Sequence, residues 1–179
     1  MKTKTQSALK AALLSTGCLQ STAALQLETT IEIPRLSVAE YHRPYVAVWI
    51  EDSDRKAVEN LSVLYDVKMS NDEGETWLKD LRQWWRKSGR SQDMPIDGVS
   101  GPTRPPGIHR IVYRQGESGF FNLPAGNYAF VVEASREVGG REMIRIPFEW
   151  DGQNLPELSA QGSRELGTVT FKLQTNPES

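Results

Sequence analysis

Few residues of this 179-residue chain have the type and spacing of a catalytic set. Ser100 follows Gly98 at the spacing of a nucleophile elbow, but Pro102 stands where the motif needs a second glycine. The two histidines, His42 and His109, are the bases that a serine nucleophile would use, and neither lies in a motif that assigns it this role. The residues therefore favour a protein without enzymatic activity of its own. An enzyme of unknown type ranks behind the two non-enzymatic functions given at the end of this section.

An acidic cluster at residues 51–54 is the only candidate metal site that the sequence indicates. Glu51, Asp52 and Asp54 offer the hard oxygen ligands that Ca²⁺ prefers. The Asp-x-Asp-x-Asp-Gly spacing of a calcium loop is absent, so a solvated turn is the alternative. The histidines and methionines also lack copper-binding spacing. We predict neither a metal nor another cofactor.

The loop at residues 97–107, with the sequence DGVSGPTRPPG, is the best candidate for a binding site. Its prolines restrict the chain, and its glycines let backbone N–H groups face outward. Ser100, Thr103 and Arg104 add hydrogen-bond donors and one fixed positive charge, which suit an anion or a polar group. The alternative is a stiff connection in which Arg104 pairs with a carboxylate such as Glu133.

Tryptophans in one amphipathic segment could also serve a ligand. Apolar residues from Trp77 to Trp85 recur at i, i+1, i+4, i+7 and i+8, which predicts a helix over about 75–88 with this stripe in the core. Adjacent helical residues point about 100° apart, so one of Trp84 and Trp85 can be exposed as a stacking platform. The predicted ligand-binding residues are Arg82, Trp84, Trp85, Ser100, Thr103 and Arg104.

Seven segments of alternating apolar and polar residues predict the strands that position these residues. Residues 45–50 are apolar on both sides, which predicts a central strand that is covered on both faces. The Leu-x-x-Gly-x-Tyr pattern that ends at Tyr128 resembles a tyrosine corner, in which the phenol bonds to upstream backbone. We predict a mainly β fold, an antiparallel Greek-key, immunoglobulin- or fibronectin-like sandwich with one inserted amphipathic α-helix. The predicted strands are 25–33, 45–50, 61–67, 108–114, 128–134, 143–148 and 169–173.

The first 24 residues have the pattern of a signal peptide. Lys2 and Lys4 precede a mostly apolar stretch at 8–14, which also contains Lys10, and small residues precede a cleavage site after Ala24. Lipid attachment at Cys18 is the alternative, although Ser15 stands where the lipoprotein pattern usually has leucine. We predict a periplasmic protein with one domain at 25–179.

The composition of the predicted mature chain limits its partners. Cys18 is the only cysteine, so residues 25–179 have no disulfide and no thiolate. Lys+Arg 21 against Asp+Glu 23 leaves a net charge of −2, and removal of the lysine-containing leader lowers it further. The absence of a basic excess argues against nucleic acid as a partner. No later segment has the length and hydropathy of a membrane span.

Several ordered blocks resemble one family of predicted periplasmic proteins, domain of unknown function twenty-two seventy-one. The blocks are YHRPYVAVWIED at 41–52, WLKDLRQWWR at 77–86, VSGPTRPPG at 99–107 and EASRE at 133–137. The resemblance implies a bacterial exported protein, often encoded beside or joined to PepSY-type membrane flavin reductases and the transferases that attach FMN to proteins. It assigns no role to the matching residues. They are Arg43, Trp49, Asp80, Arg82, Trp84, Trp85, Ser100, Thr103, Arg104, Glu133 and Arg136.

The residues and the resemblance together leave two alternative functions. The first is a non-enzymatic accessory or binding module of an envelope flavin/redox or metal-uptake system, with a PepSY-type membrane flavin reductase or a flavin transferase as partner. The second is a small-ligand binder for a flavin, a sugar or an anionic metabolite, with an Arg/Trp pocket. The chain lacks the Ser/Thr-containing flavinylation motif, so we do not expect it to carry FMN covalently.

Overall fold

The computed structural model describes residues 24–175, which form nine strands and two short α-helices. The predicted leader, including Cys18, lies outside these residues except for Ala24, which is exposed. No helix within residues 24–175 is long and apolar enough to cross a membrane. The strands are β1 (Leu25–Ile33), β2 (Tyr45–Glu51), β3 (Ala57–Tyr65), β4 (Ser100–Pro102), β5 (Gly107–Arg114), β6 (Gly126–Ser135), β7 (Arg141–Trp150), β8 (Leu158–Gln161) and β9 (Thr168–Thr175), and the helices are α1 (Glu73–Thr76) and α2 (Arg82–Lys87).

The strands form two sheets. The four-stranded sheet has the order β5-β1-β9-β8, and the five-stranded sheet has the order β4-β3-β2-β6-β7. All pairs are antiparallel except β4, which lies parallel to β3 with Ser100 opposite Val63. The mainly β prediction is confirmed, and all seven predicted segments contain strand. The two additional strands, β4 and β8, have three and four residues, too few to show an alternating pattern.

The main hydrophobic core lies between the sheets. Phe130 of the five-stranded sheet stacks on Phe171 of the four-stranded sheet, with ring centroids 3.9 Å apart. Phe148 stacks on the same Phe130 at 4.2 Å. Phe120, in the 3₁₀ turn between β5 and β6, packs against Trp150 at one end of this core with a centroid distance of 4.6 Å. Since each sheet contributes buried side chains from its inner face, the two sheets pack face to face.

A second core lies on the outer face of the five-stranded sheet. Ala47 and Trp49 of β2 are fully buried there against Leu78, Leu81 and Trp84 of the helical segment at residues 70–91. Every residue of β2 after Tyr45 is buried. The prediction of a central strand that is covered on both faces is therefore confirmed.

The prediction of one continuous helix over about 75–88 is wrong. Helix α1 ends at Thr76, a 3₁₀ turn follows, and α2 begins only at Arg82. Leu81 has φ −75° and ψ 68°, which breaks the helical path. The buried carboxylate of Glu133 on β6 accepts hydrogen bonds from backbone N–H groups at the start of α2, so a tertiary contact sets where this helix starts. The break leaves Trp77 40% exposed instead of in the predicted apolar stripe.

The predicted tyrosine corner is present at the start of β6. The Tyr128 hydroxyl donates a hydrogen bond to the Pro124 carbonyl oxygen at 2.8 Å. This contact ties the loop that enters β6 to the strand itself, and β6 pairs with both β2 and β7.

The Glu142 carboxylate joins β7 to the loop before β9. It accepts hydrogen bonds from four consecutive backbone N–H groups at residues 163–166, at 2.6 to 3.0 Å. Burial by itself raises the pKa of Glu142, but these hydrogen bonds outweigh it, so the pKa lies below its ordinary value.

We expect the substitution Glu142→Gln to destabilise the protein in a pH-dependent way. A carboxyl group whose pKa is lower in the folded state stabilises the fold above its unfolded pKa, and this contribution is lost as the pH falls through the folded pKa. The variant should lose about 1 kcal/mol of unfolding free energy at pH 7, because solvent screens the partly exposed group. The difference from the native chain should shrink below about pH 4. Urea denaturation at pH 7 and pH 3 measures both values, and an equal difference at the two pH values would contradict the assignment.

Candidate ligand-binding cleft

A cleft of about 730 Å³ opens at the end of the five-stranded sheet where β2 begins and where β3 and β6 end. The antiparallel register brings these three ends together, since Tyr45 pairs with Ser135 and Val46 with Leu64. The helical segment and the residues after β4 complete the walls. The lining residues are Tyr41, His42, Arg43, Tyr45, Asp66, Lys68, Met69, Glu73, Trp77, Asp80, Pro102, Thr103, Ser135 and Glu137.

The backbone of α1 lies close to the end of β3 at Gly74, which positions the helical segment beside the cleft. A Cβ atom at Gly74 of α1 would lie 2.1 Å from the Asp66 carbonyl oxygen and 3.4 Å from the Tyr45 hydroxyl oxygen. Only glycine allows α1 to lie this close to the end of β3. The approach brings the next turn, with Trp77 and Asp80, to the cleft wall.

Aromatic side chains form part of the wall, and their neighbours orient them. Tyr45 contacts the buried ring of Tyr65 edge to face, with centroids 6.2 Å apart. The guanidinium of Arg136 lies 5.9 Å from the ring centroid of Tyr41, and Glu165 holds that guanidinium through a buried ion pair of 2.9 Å. These rings are therefore fixed before any ligand arrives.

Acidic side chains outnumber basic ones in the cleft. Asp66, Glu73, Asp80 and Glu137 face two fixed cations, the side chains of Arg43 and Lys68. His42 lies between two carboxylates, with Nε2 3.0 Å from Glu40 Oε1 and Nδ1 3.5 Å from Glu137 Oε2. The cleft therefore has a net negative charge when His42 is neutral.

Two phenols supply hydroxyl donors in the cleft. Burial raises the pKa of Tyr45; a hydrogen bond to the Asp66 backbone opposes this effect, and the charges of Asp66 and Glu137 raise the pKa further. Burial likewise raises the pKa of Tyr41, whose buried hydroxyl has no hydrogen-bond partner within residues 24–175. Both side chains stay protonated at neutral pH, so they donate hydrogen bonds.

Of the six predicted ligand-binding residues, the structure brings Thr103 to this cleft. Trp84 is fully buried and donates its indole N–H to Asn60 Oδ1 at 2.9 Å, so it offers no stacking surface. Trp85 is half-buried against the outer core, and Arg82 is exposed. Of the two adjacent tryptophans, Trp84 is therefore the one that lies in the core.

The other predicted residues of loop 97–107 have local roles or face solvent. Ser100 Oγ accepts a hydrogen bond from the Ile96 backbone N–H at 2.9 Å. Arg104 is exposed, and the carboxylate proposed for it, Glu133, pairs with Arg141 at 2.7 Å instead.

The acidic cluster after β2 has protein partners. Glu51 is 1% exposed and lies 2.8 Å from Lys87 Nζ and 2.5 Å from an Arg145 nitrogen. Asp52 accepts a hydrogen bond from the Lys56 backbone N–H at 2.9 Å, which closes a turn, and Asp54 is exposed. No group of three or more His, Cys, Asp or Glu side chains within the described residues is arranged to hold a metal ion. Asp52 and Asp54 therefore lie in a turn, whereas Glu51 belongs to β2 and is buried.

Sequence reasoning did not identify most of the cleft. The sequence predicts a strand from residue 45 and assigns residues 41–44 no role beyond the family resemblance, and it places Trp77 in the core. Three positions that carry the family resemblance, Arg43, Asp80 and Thr103, do lie in the cleft wall. The mixture of aromatic and charged residues directly before a doubly covered strand is the signal that could have indicated this site.

The fold and the cleft define a two-sheet β-protein with a ligand-sized opening at one end of its five-stranded sheet. The chain matches the model of the DUF2271 family, the predicted periplasmic proteins, over residues 26–168, and it belongs to this family. The resemblance predicted from the sequence and the periplasmic location are thereby confirmed. No curated protein and no solved structure matches the chain.

Proposed function

We propose that this protein is a periplasmic binding module whose ligand occupies the cleft between β2, β3, β6 and the helical segment. The observation that carries the proposal is the cleft itself. Its volume of about 730 Å³ lies in the range of about 300–1,000 Å³ that is typical of small-molecule sites. Pre-oriented aromatic rings and converging polar groups line it, as such sites require.

Binding without catalysis is supported by how the potential catalytic groups are engaged. Both ring nitrogens of His42 face carboxylates, from Glu40 and Glu137. The hydroxyl oxygen of Ser100 accepts a hydrogen bond from the Ile96 backbone N–H. No serine nucleophile and histidine base are paired by these contacts, and pairing is what nucleophilic catalysis would need.

The proposal includes a Greek-key, immunoglobulin-like topology for the domain. It is supported by two packed sheets and by the Tyr128 corner, a contact that is typical of such sandwiches. In those folds, ligand sites lie on loops at one end of the sheets, as the cleft does here.

Native mass spectrometry of the protein purified from a bacterial periplasm tests the proposal. We expect a retained ligand mass on the native protein and its loss from Thr103→Trp, because the indole would fill the cleft. Ser53→Trp is the matched control, since Ser53 lies in the exposed turn at the opposite end of β2. Equal retention by the native protein and both variants, or retention by none, would contradict binding in the cleft.

We propose as a second function that the module is an accessory of an envelope flavin/redox or metal-uptake system. The resemblance of blocks 41–52 and 99–107 to the exported family supports it. Affinity purification of the tagged protein from membranes should enrich a PepSY-type flavin reductase or a flavin transferase. Recovery of abundant envelope proteins alone would argue against this function and leave the cleft proposal unaffected.

A further inference from the structure

We propose that the cleft binds an organic cation, that is, an ammonium or guanidinium group carried on an aliphatic or aromatic body. The inference rests on the proposed function, because it names the chemical class of the ligand that the cleft would hold. It differs from the flavin, sugar or anionic metabolite that the sequence suggested.

The charge of the cleft wall favours a cation, because four carboxylates line the cleft against two fixed cations. Of these carboxylates, Asp66, Glu73 and Asp80 form no ion pair within residues 24–175. A ligand cation would supply the missing partner, and each charge-assisted hydrogen bond would favour it over a neutral analogue. An anion such as a flavin phosphate would meet like charges at the same wall.

Aromatic rings of this cleft already contact cations of the protein. Lys79 Nζ lies 5.4 Å from the ring centroid of Trp77, and the Arg136 guanidinium lies 5.9 Å from that of Tyr41. Aromatic faces attract cations through the ring quadrupole, and the attraction is strongest for tryptophan. Trp77 remains 40% exposed at the wall, so part of its indole is available to a ligand.

Tyr45 lines the cleft together with Asp66 and Glu137. The charges of these two carboxylates add to the effect of burial in raising the pKa of the Tyr45 phenol. A cationic group near Tyr45 would therefore meet two carboxylates, with the phenol oxygen as a neutral acceptor.

Isothermal titration calorimetry with the protein purified from a bacterial periplasm tests the inference. Agmatine, spermidine and choline are the cationic probes, and FMN and glucose are the anionic and neutral ones. We expect at least one cation to bind at low ionic strength and FMN not to bind. Added NaCl should weaken the cation, because salt screens partly exposed charges.

Variants locate the binding. Asp80→Asn and Glu73→Gln should each weaken the cation on the order of tenfold, as expected for the loss of one charged partner. Trp77→Ala should weaken it about threefold or more through the lost ring face. Asp54→Asn is the matched control, because Asp54 is exposed in the turn at the far end of β2 and should leave the affinity unchanged.

The outcomes separate this inference from the proposed function. If FMN or glucose binds and Thr103→Trp abolishes that binding while the cations fail, the ligand class is wrong and the cleft remains a binding site. If a cation binds equally well to Asp80→Asn, Glu73→Gln and Trp77→Ala, the assignment of these walls is wrong. If no probe binds and no species co-purifies, both proposals fail.

Discussion

Replacing Glu133 with alanine should lower the free energy of unfolding by about 3–5 kcal/mol, the range for removing one member of a buried charged network. The Glu133 side chain is fully buried on β6. Its carboxylate accepts hydrogen bonds from the backbone N–H groups of Gln83 at 3.0 Å and Trp84 at 2.9 Å, and from Arg141 at 2.7 Å. Alanine would leave two N–H groups at the start of α2 without their acceptor and would add a cavity.

Urea denaturation followed by tryptophan fluorescence measures this loss. Glu133→Gln should fall between alanine and the native chain, because the amide keeps one acceptor oxygen and loses the charge. Glu149→Ala, on an exposed position of the neighbouring strand β7, is the matched control and should change stability by less than about 0.5 kcal/mol. A loss below about 1 kcal/mol for Glu133→Ala would show that the contacts to α2 contribute little.

Glu133→Ala should also affect ligand binding in the cleft. Glu133 fixes the start of α2, and the preceding turn carries Asp80 and follows Trp77, both of which line the cleft. Any variant that still folds should therefore bind the cleft ligand more weakly, although Glu133 itself does not line the cleft. Ligand titration of the refolded variant at a temperature below its unfolding transition measures this effect.

Replacing Trp84 with alanine should cost about 3–5 kcal/mol, the range for truncating a buried aromatic side chain. The ring is fully buried between the outer face of the five-stranded sheet and the helical segment. A Cβ atom at Gly89 would lie 2.5 Å from it, so the surrounding backbone is closely packed on this ring. Its indole N–H also satisfies the Asn60 side chain.

Two further substitutions test this assignment, one at Trp84 and one at Trp77. Trp84→Phe should cost about 1–3 kcal/mol, because phenylalanine keeps most of the apolar contact and leaves Asn60 without its donor. Trp77→Ala, at a 40% exposed ring, should cost less than about 1 kcal/mol and mainly affect ligand binding. Equal destabilisation by Trp77→Ala and Trp84→Ala would contradict the break in the helix, which leaves Trp77 exposed and Trp84 buried.

The strand segments could be predicted because their signal is local. In β1, alternate residues such as Leu27 and Ile31 face the core, and their neighbours do not, so the burial repeats every two residues. The covered strand β2 could be identified for the same reason, since its apolar residues occupy both faces. The tyrosine corner needs contacts only four residues apart, so its pattern survives in a short segment.

The helical segment shows where local reasoning fails. The apolar spacing from Trp77 to Trp85 fits one helix, yet the carboxylate of Glu133, about fifty residues later in the chain, determines where α2 begins. The apolar periodicity of a helical segment contains no information about a capping group that a distant strand supplies. One continuous helix would place Trp77 in the core, whereas the structure places it in the cleft wall.

Local sequence patterns were enough to predict a mainly β domain of a periplasmic family, with a central strand covered on both faces. The position of the cleft depends on the tertiary structure. The cleft is made by the start of β2, the ends of β3 and β6 and a turn near Trp77, which lie as much as ninety residues apart in the chain. Antiparallel pairing places these ends side by side, and the Gly74 approach places the helical segment above them. Such proximity depends on register and packing, which no single segment specifies.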